Sequence, residues 1–171
     1  MRHARCVVMA MVIGAMMAVA GLCAPRAAST QPTGVTPELQ AALERVDAAL
    51  LELVQGKAET FKALWSRRDD VTLTGGLGGG IEKGWERVSK RLDWAGTQFS
   101  EGTRTYQQLV LNASGDLAYV VQIEKLRYRA PGQQAPADRE LRVTMVLRRE
   151  AEGWRIVHRH ADSQVTPPPP R

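Results

Sequence analysis

Three polar side chains near the C-terminus have types and a spacing that could do chemistry. His158, His160 and Asp162 occupy alternate positions of a segment in which apolar residues also alternate. Side chains at every second position of a strand share one face and lie about 6.6 Å apart. On such a face an imidazole beside a carboxylate can act as a general base, and two imidazoles can also chelate a metal ion.

A metal site, however, needs more ligands than this segment supplies. His158 and His160 are the only histidines after residue 30, and both cysteines of the chain, Cys6 and Cys23, precede it. We therefore predict no metal ion and no cofactor. For the two histidines, a hydrogen-bonding role in a pocket or a structural role stands beside catalysis as an alternative.

Glu124 is a further candidate because it lies between Ile123 and Lys125 in an otherwise apolar and basic strand. If this carboxyl is buried, desolvation raises its pKa, and the group could then shuttle a proton. The alternative is an ion pair with Lys125, Arg127 or Arg142.

Large aromatic side chains are the candidates for the walls of a cavity. They either fill the core or surround an apolar ligand, and they are Trp65, Trp85, Trp94 and Tyr119. In the ligand-binding interpretation His158, His160 and Glu124 form the polar end of this cavity.

The elements that must position these residues are helices followed by strands. Thr36 and Pro37 are typical of a helix start, apolar residues then recur every three or four positions up to Leu53, and Gly56 ends the helix. Shorter helices are predicted over residues 58–66 and 82–95, on either side of a brief strand at 71–74. Four strands joined by hairpin turns are predicted over residues 105–111, 116–128, 140–149 and 154–162. This order indicates an α+β fold with three helices on one face of an antiparallel sheet.

A glycine-rich run at residues 75–80 invites a phosphate-binding interpretation, which its sequence does not support. A Walker loop needs Lys and Ser or Thr after its last glycine, whereas Ile81 and Glu82 follow Gly80. The third glycine of a dinucleotide-binding fingerprint would fall at Ile81. The run is therefore predicted to be a loop without a phosphate.

The first 30 residues have the layout of a secretion signal, with a basic start and an apolar stretch from Cys6 to Leu22. An uncleaved anchor and a lipid attached at Cys23 are the alternatives. Residues 31–36 are predicted to be a linker, and the proline-rich residues 165–171 a disordered tail.

The chain has 23 basic and 18 acidic residues, and three of the basic ones lie in the signal. The remaining net charge of +2 is too small to indicate a nucleic-acid-binding surface. We expect a periplasmic or secreted protein that meets a membrane only if the signal is uncleaved.

The outer face of the predicted sheet is partly apolar, because Val120, Val146 and Val157 alternate with residues assigned to the inner face. A sheet that is apolar on both faces often packs against a partner. We therefore expect a homodimer.

Several segments resemble the SnoaL-like branch of the nuclear transport factor 2-like superfamily, whose members include ketosteroid isomerase homologues. They are residues 64–73, 84–86, 115–121, 141–144 and 154–162, and the resemblance covers residues 37–164. It implies a cone of three helices on a curved antiparallel sheet. The ending around Trp154 and His160 is also similar to the association domain of calcium/calmodulin-dependent kinase II.

The resemblance to true ketosteroid isomerases does not extend to their catalytic residues. Their catalytic Asp would fall at Gly75, and their first-helix Tyr near Ala49, whereas no Tyr precedes Tyr106. The sequence thus predicts a domain that binds a small organic molecule in a semi-apolar cavity, without isomerase machinery. The alternatives are a cyclase, dehydratase or hydrolase with a histidine base, assisted by Glu124 or Asp162, and a dimeric scaffold.

Overall fold

The computed structural model describes residues 34–163. The predicted secretion signal at residues 1–30, the first part of the predicted linker and the predicted tail at 165–171 lie outside the described residues. The elements are, in chain order, α1 (Pro37–Val54), α2 (Glu59–Ala63), β1 (Thr72–Thr74), β2 (Ile81–Lys83), α3 (Trp85–Gly96), β3 (Ser100–Ser114), β4 (Leu117–Arg129), β5 (Ala137–Glu150) and β6 (Gly153–Ser163). Within residues 34–163 no helix is both long and apolar enough to span a bilayer.

The first helix begins and ends where the sequence predicts. The Thr36 hydroxyl accepts a hydrogen bond from the Leu39 amide at 3.2 Å, and Pro37 occupies the first helical position. After Val54 the chain turns at Gly56, whose φ of 92° lies in the left-handed region that glycine tolerates. The apolar stripe of α1 is buried against the sheet.

The sheet has six strands in the order β2-β1-β6-β5-β4-β3. Strands β3 to β6 form the predicted antiparallel hairpins, whereas β1 pairs with β6 in parallel. The four long strands are antiparallel as predicted, and the sheet as a whole is mixed because β1 joins it in parallel. Strand β2, which pairs with β1, occupies residues predicted to begin the third helix, because Gly84, with a φ of 85°, delays the start of α3 to Trp85.

One face of the sheet is covered by the helices. No helix within residues 34–163 covers the other face, which we call the outer face. The predicted inner face of β5 is confirmed, since Leu141, Val143, Met145 and Leu147 are all buried. In β4 the prediction had the faces reversed. Val120 is buried under the helices, and Tyr119 lies on the outer face.

A β-bulge in β6 changes the face on which its second half projects. Val146 of β5 pairs with His158, but the next residue, Leu147, pairs with Ile156, so Val157 has no residue opposite it. An extra residue in one strand shifts the alternation of side chains by one position. Consequently Ile156 and Arg159 are both buried on the inner face.

Strand β3 crosses the end of α1 at a position where only glycine fits. A Cβ atom on Gly102 would lie 2.0 Å from the backbone oxygen of Val54 and 2.6 Å from its carbonyl carbon. The close approach of the two backbones fixes β3 against α1. It also places Arg104, two residues further along, beneath the helices.

Replacing Gly102 by alanine is expected to destabilise the domain by about 1–3 kcal/mol, because the helix or the strand must move away. Urea unfolding followed by circular dichroism measures this change. Gly80→Ala is the control, since nothing lies within 4 Å of a Cβ atom built there. Equal stabilities of the two variants would contradict the close approach.

Candidate functional site

The two histidines lie on the outer face, so their predicted placement was wrong. His158 and His160 follow the bulge in β6, and His158 Nδ1 lies 2.8 Å from the Thr72 hydroxyl. Burial, and secondarily the nearby His160, lowers the pKa of the His158 imidazole. Asp162 pairs with Arg142 at 2.6 Å on the same face. The sheet thus separates both imidazoles from the hollow under the helices, and a histidine base acting there is not supported.

The predicted aromatic wall is also only partly formed. Trp65 is buried in the core, edge-on to Phe61, and Tyr119 lies on the outer face. Trp85 is half-buried beneath the guanidinium group of Arg67. Of the four aromatic candidates, Trp94 alone borders the hollow between the helices and the sheet.

That hollow is a cavity of about 60 Å³ between the helices and the inner face of the sheet. The apolar part of its lining includes Leu50, Phe61, Leu73, Leu92, Leu126 and Leu141. Its charged lining consists of four arginines and one carboxylate, which are Arg91, Arg104, Arg139, Arg159 and Glu124. The cavity is therefore apolar with a strong excess of positive charge.

Glu124 lies at the centre of the charged side chains that line the cavity. Its burial agrees with one of the two predictions, but the arginines that contact it were not predicted. Arg159 donates two hydrogen bonds to its carboxylate, at 2.9 and 3.2 Å, and Arg104 donates one at 3.2 Å. The Gln122 amide donates another at 2.7 Å, and Arg104 also pairs with Asp47. The side chains of Glu124, Arg104 and Arg159 are 1%, 3% and 8% exposed.

These contacts decide the protonation state of Glu124. Burial by itself would raise the pKa of the carboxyl, but the guanidinium groups of Arg159 and Arg104 outweigh it and lower the pKa to about 2. Of the two alternatives for Glu124, the structure has the ion pair, formed with Arg104 and Arg159 in place of Lys125, Arg127 or Arg142, and not the raised pKa. At neutral pH the carboxylate is ionised and its oxygens are occupied, so Glu124 holds the arginines in place and is not free to accept a proton.

Two further arginines lie nearer the mouth of the cavity. Arg139 is on the inner face of β5 and donates to the Gly76 carbonyl oxygen at 2.7 Å. Arg91 of α3 donates to the Gly78 carbonyl oxygen, and its guanidinium group stacks on the ring of Trp94 at 4.0 Å. Both side chains are half-buried. None of the four arginines was a candidate in the sequence, where arginines are common and their burial has no local signal.

Residues 43–166 match the model of the SnoaL-like domain. The chain belongs to the SnoaL-like family. No curated protein matches it.

Solved structures confirm the nuclear transport factor 2-like fold of this SnoaL-like domain. A protein of that family from Streptomyces avermitilis, assigned as a dehydratase, is 20% identical over 77% of this chain and 100% of its own, with a TM-score of 0.64. A ketosteroid isomerase-like protein from Erwinia carotovora atroseptica is 15% identical over 77% and 100%, with a TM-score of 0.62. The hub of calcium/calmodulin-dependent kinase II from S. rosetta is 21% identical over 76% and 98%, with a TM-score of 0.59. At these identities the comparisons establish the fold and leave the activity of the SnoaL-like domain open.

Replacing Glu124 by glutamine is expected to destabilise the SnoaL-like domain by about 3–5 kcal/mol at pH 7, because buried Arg159 loses its counter-charge and Arg104 keeps only Asp47. The pKa of this carboxyl is lower in the folded state than its ordinary value of 4.5. Its contribution is therefore fully present above pH 4.5 and is lost as the pH falls towards 2. The difference between variant and parent should shrink over that range in urea unfolding.

Glu140→Gln is the control, because Glu140 forms only an exposed pair with Lys125 at 3.4 Å. It is expected to change the free energy of unfolding by less than about 1 kcal/mol. A pH-independent loss of stability in the Glu124 variant would contradict the low pKa.

Proposed function

We propose that this domain binds a small organic molecule with an apolar body and an acidic group, in the cavity between the helices and the sheet. The observation that carries the proposal is the charge of the lining. Four guanidinium groups face one carboxylate, Glu124, in surroundings that are otherwise apolar. Asp47 compensates only one further charge, through Arg104.

The surplus cations, Arg91 and Arg139, are half-buried, and such a surplus favours an anionic occupant. Taking a charge out of water is costly unless a counter-charge or hydrogen-bond acceptors replace the water. The Nε–H group of Arg104 is buried, and no acceptor is found for it within residues 34–163. A carboxylate or similar group in the cavity would supply both the missing acceptor and a negative charge.

The rest of the lining supports an apolar body for this ligand. Ligand sites are mostly apolar, with a few polar groups that fix the orientation, and the leucine and phenylalanine side chains of the cavity fit that description. The proposal includes no isomerisation, because Ala49 and Gly75 stand where ketosteroid isomerases have their donor and their base. If the predicted secretion signal functions, binding takes place in the periplasm or outside the cell.

We also propose that the outer face of the sheet is a homodimer interface. Apolar side chains are exposed there on β3 and β4, with Leu117 52% and Tyr119 41% exposed. In the cross-strand direction Tyr119 lies beside Val146, and Val146 lies beside His158. Exposed apolar side chains grouped on one face in this way are typical of a protein–protein contact. The likeness to a kinase hub is consistent with assembly.

For the ligand, we predict that hexanoate stabilises the domain and that hexanamide, its neutral counterpart, does not. At one hundred times its dissociation constant a ligand adds about 2.7 kcal/mol to the free energy of unfolding. Thermal unfolding at increasing ligand concentration measures this effect. Equal stabilisation by hexanamide would contradict an acidic ligand.

A matched pair of variants locates the site. Ala95→Leu adds a bulky group to the cavity lining and should abolish stabilisation by hexanoate, whereas Ala63→Leu, on the exposed side of α2, should retain it. If both variants respond like the parent, hexanoate binds elsewhere and the proposed cavity is wrong.

For the homodimer, Val146→Glu is expected to give a monomer, because it places a carboxylate in the apolar part of the interface. Light scattering coupled to size exclusion measures the mass. Gln40→Glu, an equal charge change on exposed α1, should leave the dimer intact. A monomeric parent protein, or a dimeric Val146→Glu variant, would show that the outer face does not pair.

A further inference from the structure

The glycine-rich run at residues 75–80 covers one side of the cavity. It connects β1 to β2 without regular structure, and five of its six residues are glycine. Gly75, Gly76 and Leu77 line the cavity, whereas residues 78–80 are exposed. The loop is thus part of the cavity wall on one side and in contact with solvent on the other.

Two arginines from different elements hold this loop through its carbonyl oxygens. Arg139 of β5 donates to Gly76 at 2.7 Å, and Arg91 of α3 donates to Gly78. Both arginines also line the cavity. The groups that hold the loop are therefore two of the cations that an acidic ligand would meet.

The loop lies directly on the cavity wall at Gly76. A Cβ atom built there would be 2.7 and 2.9 Å from the two terminal carbons of Leu141, so a larger residue could not occupy this position without a shift. A Cβ atom built at Gly80 would have no other heavy atom within 4 Å. Among the glycines of the loop, Gly76 is the one packed most closely against its neighbours.

At its present size the cavity could enclose an organic ligand only if one of its walls moved. Pockets that enclose organic ligands have volumes of about 300–1,000 Å³, whereas this one has about 60 Å³. The other walls are α1, α3 and the sheet, which are parts of the core. The loop has one side chain that adds to the packing, Leu77, so displacing it breaks few apolar contacts.

We propose that residues 75–80 are a lid held closed by Arg91 and Arg139, and that an acidic ligand opens it by replacing the loop carbonyls as the acceptor for these guanidinium groups. This inference rests on the proposed binding function. A carboxylate is a stronger acceptor for guanidinium than a neutral carbonyl. The released glycines also regain conformational freedom, which offsets part of the cost of opening.

The lid can be tested first without any ligand. Arg139→Gln removes the charged donor to Gly76, and amide hydrogen exchange in residues 75–80 should become about fivefold faster, as expected for the loss of one hydrogen bond. The Gly78 amide, which donates to the Gly75 carbonyl at 3.0 Å, is a suitable reporter. Arg142→Gln, on the outer face of the same strand, is the control and should leave this exchange unchanged. Unchanged hydrogen exchange in the Arg139 variant would show that Arg139 does not hold the loop closed.

A second test adds one methyl group at either of two positions in the loop. Gly76→Ala should push the loop away from Leu141, and the association rate of the anionic fluorophore 1-anilinonaphthalene-8-sulfonate should rise at least about threefold in stopped-flow measurements. Gly80→Ala restricts the loop backbone in the same way but meets no neighbour, so it should give no such rise. Equal rates in all three proteins would overturn gating by this loop.

The two proposals fail in different ways. If neither hexanoate nor the fluorophore binds the parent protein, both the binding function and opening by a ligand are wrong. Hydrogen exchange still decides whether the arginines hold the loop. If hexanoate binds but the exchange and association rates do not respond to the substitutions, the binding function stands and the lid is wrong.

Discussion

The burial of the Glu124 carboxylate is the constraint on which the site depends. A carboxylate removed from water must be paired, and here Arg104 of β3 and Arg159 of β6 reach it from either side in the sheet. These contacts connect three strands beneath the helices. Asp47 also pairs with Arg104, so these two arginines and two carboxylates are neutral overall, and the excess of positive charge in the cavity comes from Arg91 and Arg139. These two arginines are therefore the groups whose charge an anion would neutralise.

The two faces of the sheet have different proposed roles, which are ligand binding and self-association. The inner face carries the arginines, the cavity and its glycine-rich wall, whereas the outer face carries exposed apolar side chains and both histidines. In this account ligand binding and self-association use opposite faces. Arg139 and Arg142, three residues apart in β5, illustrate the division, because the first contacts the loop over the cavity and the second pairs with Asp162 outside.

Much of the fold could be predicted from local sequence signals. The cap at Thr36, the stripe of α1 and the four long strands follow from hydrogen-bonding capacity and periodicity, which act over a few residues. Strand β2 could not be predicted in this way. Its three residues are held by pairing with β1, a contact that no periodicity of so short a segment can indicate.

The candidate site was predicted poorly because it depends on a bulge and on distant partners. Strict alternation from Trp154 through Ile156 places His158 and His160 inside, and the extra residue at Val157 reverses this. Ala161 is the one local sign of the change, since an apolar residue there is out of phase with Ile156. Arg104 and Glu124 lie 20 positions apart in sequence, so their pairing follows from the register of β3 and β4.

The proposed acidic ligand binds at the arginines inside the cone. A crystal structure of the protein with 6-bromohexanoate, in which anomalous scattering locates the bromine, would show where such a ligand binds. We expect the carboxylate within hydrogen-bonding distance of the cavity arginines and the bromine among the apolar side chains beneath the helices. A carboxylate bound beside His158 and His160 on the outer face, with the cavity unchanged, would contradict it.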